Sequence, residues 1–160
     1  MSFAADSASA VQEQFMRVAV EMAQRGMAAG GPPVGACLAR NEDLIARGHN
    51  TVIGELDITA HAEITVIREA CRTLRSLQLT DCILYVTVQP CPMCLTACYY
   101  AGIREVVYGA SIDTLNDITG NELCTAPAEL FAGRSEQPLL TGGVLEDDCR
   151  ALITTWGASR

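Results

Sequence analysis

Apolar positions along the chain recur with two different periods. Between residues 9 and 29, Val11, Phe15, Val18 and Met22 return every three or four positions, which marks one face of a helix, and Ser9 with Gln12 matches a capping box. Gly30-Gly31-Pro32-Pro33 ends that pattern. Val34–Ala39 and Leu44–Gly48 are short β runs either side of the polar turn Arg40–Asp43, which predicts a hairpin. Asn50 to Ile58 has no period and reads as loop. A second helix is predicted from Ala60 to Ser76, with Ile67, Cys71 and Leu74 inward and Arg68, Arg72 and Arg75 outward. Cys82–Val88 is almost wholly apolar or β-branched, as a central strand buried on both faces would be. Pro92 then stands where a first helical turn begins, Gly102 where a C-cap falls, and Arg104–Gly109 forms the next strand. Residues 111–138 scatter Gly, Pro and acids without a period, and Glu146–Trp156 reads as a closing helix. The order αββαβαβ, with strands joined through helices, predicts an α/β sheet sandwiched between helical layers.

Length and composition narrow the function. One hundred and sixty residues without a linker or repeat predict a single domain over 1–160. The net charge is −8, and all 11 basic residues are Arg. Without Lys there is no lysine phosphate loop and no Schiff base, which excludes pyridoxal-phosphate chemistry. The negative balance argues against a broad polyanion-binding face, so nucleic acid is the weaker expectation. No leader pattern opens the chain and no apolar run reaches the ~18–20 residues of a membrane span. The eight cysteines are therefore expected in a reducing cytoplasm, as core filler, metal ligands or redox groups.

Two local patterns carry chemistry. His61-Ala62-Glu63 lies at the start of the second predicted helix, and Pro90-Cys91-Pro92-Met93-Cys94 lies where the central strand gives way to a helix. Cys91 and Cys94, three apart at a helix N-terminus, can face one ion, and the helix dipole favours their thiolate form. His61 supplies a third ligand. Three protein ligands leave the fourth tetrahedral position of zinc to water, as in a catalytic site, and zinc lowers the pKa of that water to ~7. Glu63 is set roughly 200° round a regular helix from His61, so it suits proton transfer better than ligation.

H-A-E followed 27 residues later by P-C-P-M-C resembles the zinc-dependent cytidine deaminase superfamily. The resemblance extends from the first helix to about Gly109, through Pro33-Val34-Gly35-Ala36, Gly48-His49-Asn50 and Thr59-Ala60-His61-Ala62-Glu63. It implies a three-layer α/β/α sandwich with a mixed central sheet. One Zn²⁺ per chain would be held by His61, Cys91 and Cys94, with Glu63 as the proton shuttle. Asn50 and the main-chain N–H of Ala62 would hold the base. Attack of the zinc-activated hydroxide on an amino-bearing ring carbon would release ammonia. The branch it is most similar to includes guanine deaminases, cytosine deaminases and tRNA adenosine deaminases, and these small enzymes are usually homodimers. The Pro-Cys-Pro-Met-Cys form is similar to guanine deaminases, and Gly30-Gly31-Pro32-Pro33-Val34-Gly35 to cytosine deaminases.

Charge selects within that branch. From Glu105 onward the chain has three Arg against nine acids, whereas a tRNA anticodon stem calls for a basic face. The expected substrate is thus a free nucleobase or a related aminated heterocycle, with a tRNA adenosine as the alternative. Gln89 departs from the many relatives that carry Glu there, which implies either a weakened hydrogen bond or a different pocket polarity. Asp117 and Glu122 are acids in the stretch where relatives close the pocket; both also fit a solvated loop. Tyr99 and Tyr100 read as core or interface, and His49 as a loop histidine. Two other chemistries fit the C-x-x-C taken alone: thiol–disulfide exchange, which gives His61 and Glu63 no task, and a structural zinc module, which needs a fourth ligand such as Cys98 or Cys124.

Overall fold

The computed structural model describes residues 3–160. It opens with helix α1 (Phe3–Ala28), which starts before Ser9, so Ser9 lies inside the helix and the expected capping box does not operate. The buried stripe of α1 is Phe15, Met16, Ala19, Met22 and Ala23, with Val11 and Val18 only half-buried at its edge. Its small residues matter. A Cβ on Gly35 would strike the main-chain oxygen of Ala19 and nitrogen of Ala23, so the helix lies directly on the first strand because Gly35 has no side chain.

Strands β1 (Gly35–Arg40) and β2 (Asp43–His49) form the expected antiparallel hairpin. Asn41 and Glu42 turn the chain at φ 50° and 68°, the doubly left-handed geometry of a tight hairpin turn. The segment expected to be loop contains one helical turn, α2 (Val52–Glu55). Then follow α3 (Ala62–Leu74), β3 (Cys82–Val88), α4 (Pro92–Ala101, closed by Gly102 at φ 76°) and β4 (Glu105–Ala110). The unpatterned region holds α5 (Ile112–Thr119) and α6 (Pro127–Leu130), and beyond it lie β5 (Leu139–Thr141) and α7 (Glu146–Ala158).

The five strands run in the order β2-β1-β3-β4-β5. β3 is central, antiparallel to β1 and parallel to β4, and β5 adds a parallel edge, so the sheet is mixed. α1 and α7 pack together against the sheet, and α3 with α4 beside it takes the other face. This is the helix–sheet–helix architecture expected from the element order. The pairing of β1 with β3 stops at Ala36 and Val86. Beyond it the buried Thr87 hydroxyl takes over, accepting from Gly35 N–H at 3.2 Å and donating to Pro33 O at 3.3 Å. The β1–β3 ladder ends there, at the C-terminal end of β3, the end at which open α/β sheets place their ligands.

Candidate metal centre and active-site cavity

Two helix starts converge at that end of β3. His61 is the N-cap of α3 and Cys91 the N-cap of α4, both with extended backbone, and Cys94 is the third residue of α4. His61 turns Nδ1 toward both sulfurs, 3.7 Å from Cys91 Sγ and 3.5 Å from Cys94 Sγ. All three ligand atoms lie within 4.8 Å of one another. Tetrahedral zinc bonds of ~2.3 Å to sulfur and ~2.0–2.1 Å to nitrogen put those atoms about 3.6 Å apart. The spacing present is therefore that of a zinc coordination tetrahedron. These three residues are positioned to hold one metal ion, and a donor set of one imidazole and two thiols suits zinc. Among the described residues the cluster does not extend to Cys98, which is buried one turn further along α4, or to Cys124, which is exposed.

Protonation follows from the same contacts. The Cys94 thiol hydrogen-bonds the Cys91 sulfur and holds its pKa down to about 4, while Cys94, as the donor in that pair, is pushed up. The hydrogen bond to Cys91 raises His61. Two thiols that share one proton in this way need a cation before both become thiolates, which is the condition a divalent metal meets.

Glu63 stands beside the triad and is not part of it. Because His61 sits in the extended cap, a regular-helix angle does not set their relation; Glu63 is directed inward as the second residue of α3. It is 3% exposed, and its Oε2 has no hydrogen-bond partner among the described residues. Burial, followed by the charge of Cys91, raises its pKa to about 7. An unpartnered carboxylate oxygen in the core costs stability unless a ligand or water meets it, and Glu63 lines the cavity in which one can do so.

The cavity has a volume of about 180 Å³, below the ~300–1,000 Å³ of drug-sized ligand sites. His61, Glu63 and Cys91 line it together with the polar Asn50 and Gln89, and Val34, Val52, Ile112, Leu115 and Trp156 supply much of its apolar lining. Asn50 is buried and its Oδ1 accepts from Val52 N–H at 3.1 Å, which leaves Nδ2 as a donor. Ala62 is buried at the first position of α3, and its main-chain N–H belongs to the unpaired donors of a helix start. Of the two candidate acids, Glu122 lines the cavity while Asp117 is exposed and does not. Glu122 is held by Thr119, whose hydroxyl donates to Oε1 at 2.9 Å. Its own main-chain N–H donates to Asn116 Oδ1 at 2.9 Å. Tyr99 stacks on Phe131 and Tyr100 points outward, so neither tyrosine lines the cavity.

Nothing in the local sequence marks Trp156 as a cavity residue. It ends the apolar stripe Cys149, Leu152, Ile153, Trp156 of α7, and α7 packs on α5, so the last residue of an ordinary core stripe reaches the cavity.

Comparison with known proteins agrees with this geometry. The family described as "Cytidine and deoxycytidylate deaminase zinc-binding region" matches residues 9–110. The chain is 48% identical over 99 residues to a guanine deaminase of Bacillus subtilis, covering 61% of this chain and 64% of that protein. It is 35% identical over 144 residues to a tRNA-specific adenosine deaminase of the same species, covering 90% and 87%. A solved guanine deaminase from Nitrosomonas europaea superposes with a TM-score of 0.81 at 29% identity, covering 91% of this chain and 84% of that one. The metal cluster lies inside the matched residues, whereas Ile112, Leu115, Thr119, Glu122 and Trp156 lie outside them.

Proposed function

Because the chain belongs to the zinc-binding cytidine and deoxycytidylate deaminase family, we propose that it hydrolyses the exocyclic amino group of a free nucleobase, of the guanine or cytosine type, to a carbonyl and ammonia. The observation that carries this reading is the small cavity that joins the unpartnered Glu63 carboxylate and the zinc triad to the Glu122 carboxylate. A carboxylate wall selects ring N–H donors, and a free purine or pyrimidine has such donors where a nucleoside carries its sugar. Guanine, with ring N–H and amino donors, suits Glu122 best and is favoured further by the two guanine deaminases above.

Zinc, when bound, supplies the Lewis acidity that makes water nucleophilic near neutral pH. The chain's own groups do the rest. Glu63 takes a proton at Oε2 and returns it to the departing amino group, and a pKa near 7 suits both directions of transfer. Asn50 donates from Nδ2 and Ala62 from its main-chain N–H to acceptors on the ring, fixing its orientation. The apolar residues Val52, Ile112, Leu115 and Trp156 exclude bulk water and enclose the ring face.

The test is ammonia release from zinc-loaded protein offered guanine, cytosine, adenine and their nucleosides. Turnover of a free base, with its nucleoside inert, is expected. Silence with every free base refutes the proposal. The second reading, deamination of a tRNA adenosine, is favoured by the similarity to the Bacillus subtilis tRNA enzyme over 90% of the chain. Salt-sensitive tRNA binding with inosine formation would establish it in place of the first. The −8 charge and the absence of Lys weigh against it.

This reading includes a homodimer in the cytoplasm. α4 is apolar on its outer as well as its inner side, with Tyr100 76% and Met93 37% exposed, as suits a helix buried in an assembly. Sedimentation should give a dimer, and Tyr100→Arg should shift it to monomer; a monomeric parent refutes the homodimer. All eight cysteines are free, which suits a reducing compartment. Among the described residues no helix is long and apolar enough to cross a membrane.

A further inference from the structure

His49 and Gly26 have no part in the centre described above, yet they meet behind Asn50. His49, the last residue of β2, has Nδ1 3.0 Å from the main-chain oxygen of Asn50. A carbonyl only accepts, so Nδ1 carries the proton. Asn50 is tied at two further points, by its N–H to Val34 O at 3.0 Å and by Oδ1 to Val52 N–H at 3.1 Å. The Oδ1 contact orients the side-chain amide and leaves Nδ2 as the group for a ligand, while the His49 contact holds the main chain from which that side chain projects.

Gly26 makes room for this. A Cβ there would come to 2.9 Å from His49 Cβ and 3.0 Å from His49 Nδ1. Glycine is among the poorest helix formers, so its presence within α1 is explained by the imidazole lying against it.

We propose that His49, seated against Gly26, is a positioning residue that orients the Asn50 amide toward the base. The inference rests on the reading of Asn50 as a base-holding residue and names what holds Asn50 in turn. Its signature is a change in KM with little change in kcat, because the reacting groups are untouched.

The experiment compares zinc-loaded wild type with His49→Phe, His49→Asn and Gly26→Ala. Phe keeps a ring and loses the donor, Asn restores a donor near the Nδ1 position, and Ala crowds the imidazole without harming the helix. Loss of one hydrogen bond should raise KM for guanine about tenfold in His49→Phe, with kcat within about twofold. Gly26→Ala should follow it, and His49→Asn should recover most of the loss. Unchanged KM in His49→Phe, or a fall in kcat at constant KM, overturns the proposal.

A second readout needs no substrate. Nitrogen-15 spectra should show the Nδ1–H tautomer of His49, and the Val52 amide should exchange faster in His49→Phe. An Nε2–H tautomer or unchanged Val52 exchange overturns the proposal. If wild-type protein fails to deaminate guanine, the substrate reading falls, and the spectra alone then decide the role of His49.

Discussion

Replacing Glu63 by Gln separates what this carboxylate does for the reaction from what it costs the fold. Burial is the first reason its pKa rises from 4.5 to about 7, and the Cys91 charge is the second. Between those two values the folded protein keeps a proton that the unfolded chain has released. Stability therefore falls as pH rises through that window, and the loss is complete above it. A rise of this size is worth about 3 kcal/mol. Gln at the same place has no charge to desolvate. From pH 5 to pH 8, metal-free wild type should thus lose about 2–3 kcal/mol of stability relative to Glu63→Gln. Thermal midpoints should diverge by about 5–10 °C over the same range. Urea denaturation of the reduced, chelated proteins at several pH values measures this directly. The zinc-loaded variant should keep its metal and lose turnover by ~10²–10⁴. Parallel stability curves for the two proteins would refute the cost of the buried carboxylate, and full turnover in the variant would refute its proton role.

Three further substitutions test the remaining parts. Cys94→Ala removes one of three ligands, so zinc measured by mass spectrometry should fall well below one per chain; full retention would disprove the ligand set. Glu122→Gln should leave zinc in place and raise KM for guanine roughly 10–100-fold, the range for a hydrogen bond to a charged group, and an unchanged KM would remove Glu122 from the base-binding wall. Gly35→Ala must push α1 off β1, because the new Cβ meets the Ala19 and Ala23 main chain, where no rotamer change gives relief. It should cost more than about 3 kcal/mol in urea unfolding, and a loss below about 1 kcal/mol would show that the helix yields easily.

The parts of the fold legible in the sequence are those with long or sharply punctuated patterns. Cys82–Val88 reads as the central strand because it is buried on both faces, and it is central in the sheet. Pro92 and Gly102 bound α4 because a proline suits a first turn and a glycine a left-handed cap. Residues 111–138 were opaque for the opposite reason. α5 has only eight residues and α6 four, too few for a period to emerge. The signal for α5 was present in Ser111 as N-cap, the apolar pair Ile112 and Leu115, and Gly120 as C-cap.

The same division runs through the active-site cavity. His61, Cys91 and Cys94 were legible because each lies within a few residues of a helix start, and short spacing along the chain sets which atoms face the ion. What local pattern carries is the candidate ligand set, the zinc, the element order as far as β4 with the closing helix, and the acidic, lysine-free composition. Tertiary packing sets that Glu122 and not Asp117 lines the cavity, that Trp156 lines it too, and that His49 reaches the Asn50 carbonyl. The physical reason is range. A helix start is encoded by neighbours three or four positions apart, whereas a cavity wall forms only when segments a hundred residues apart are packed together. Which side chain then faces inward depends on where α5 and α7 come to rest against the sheet, and no local pattern records that.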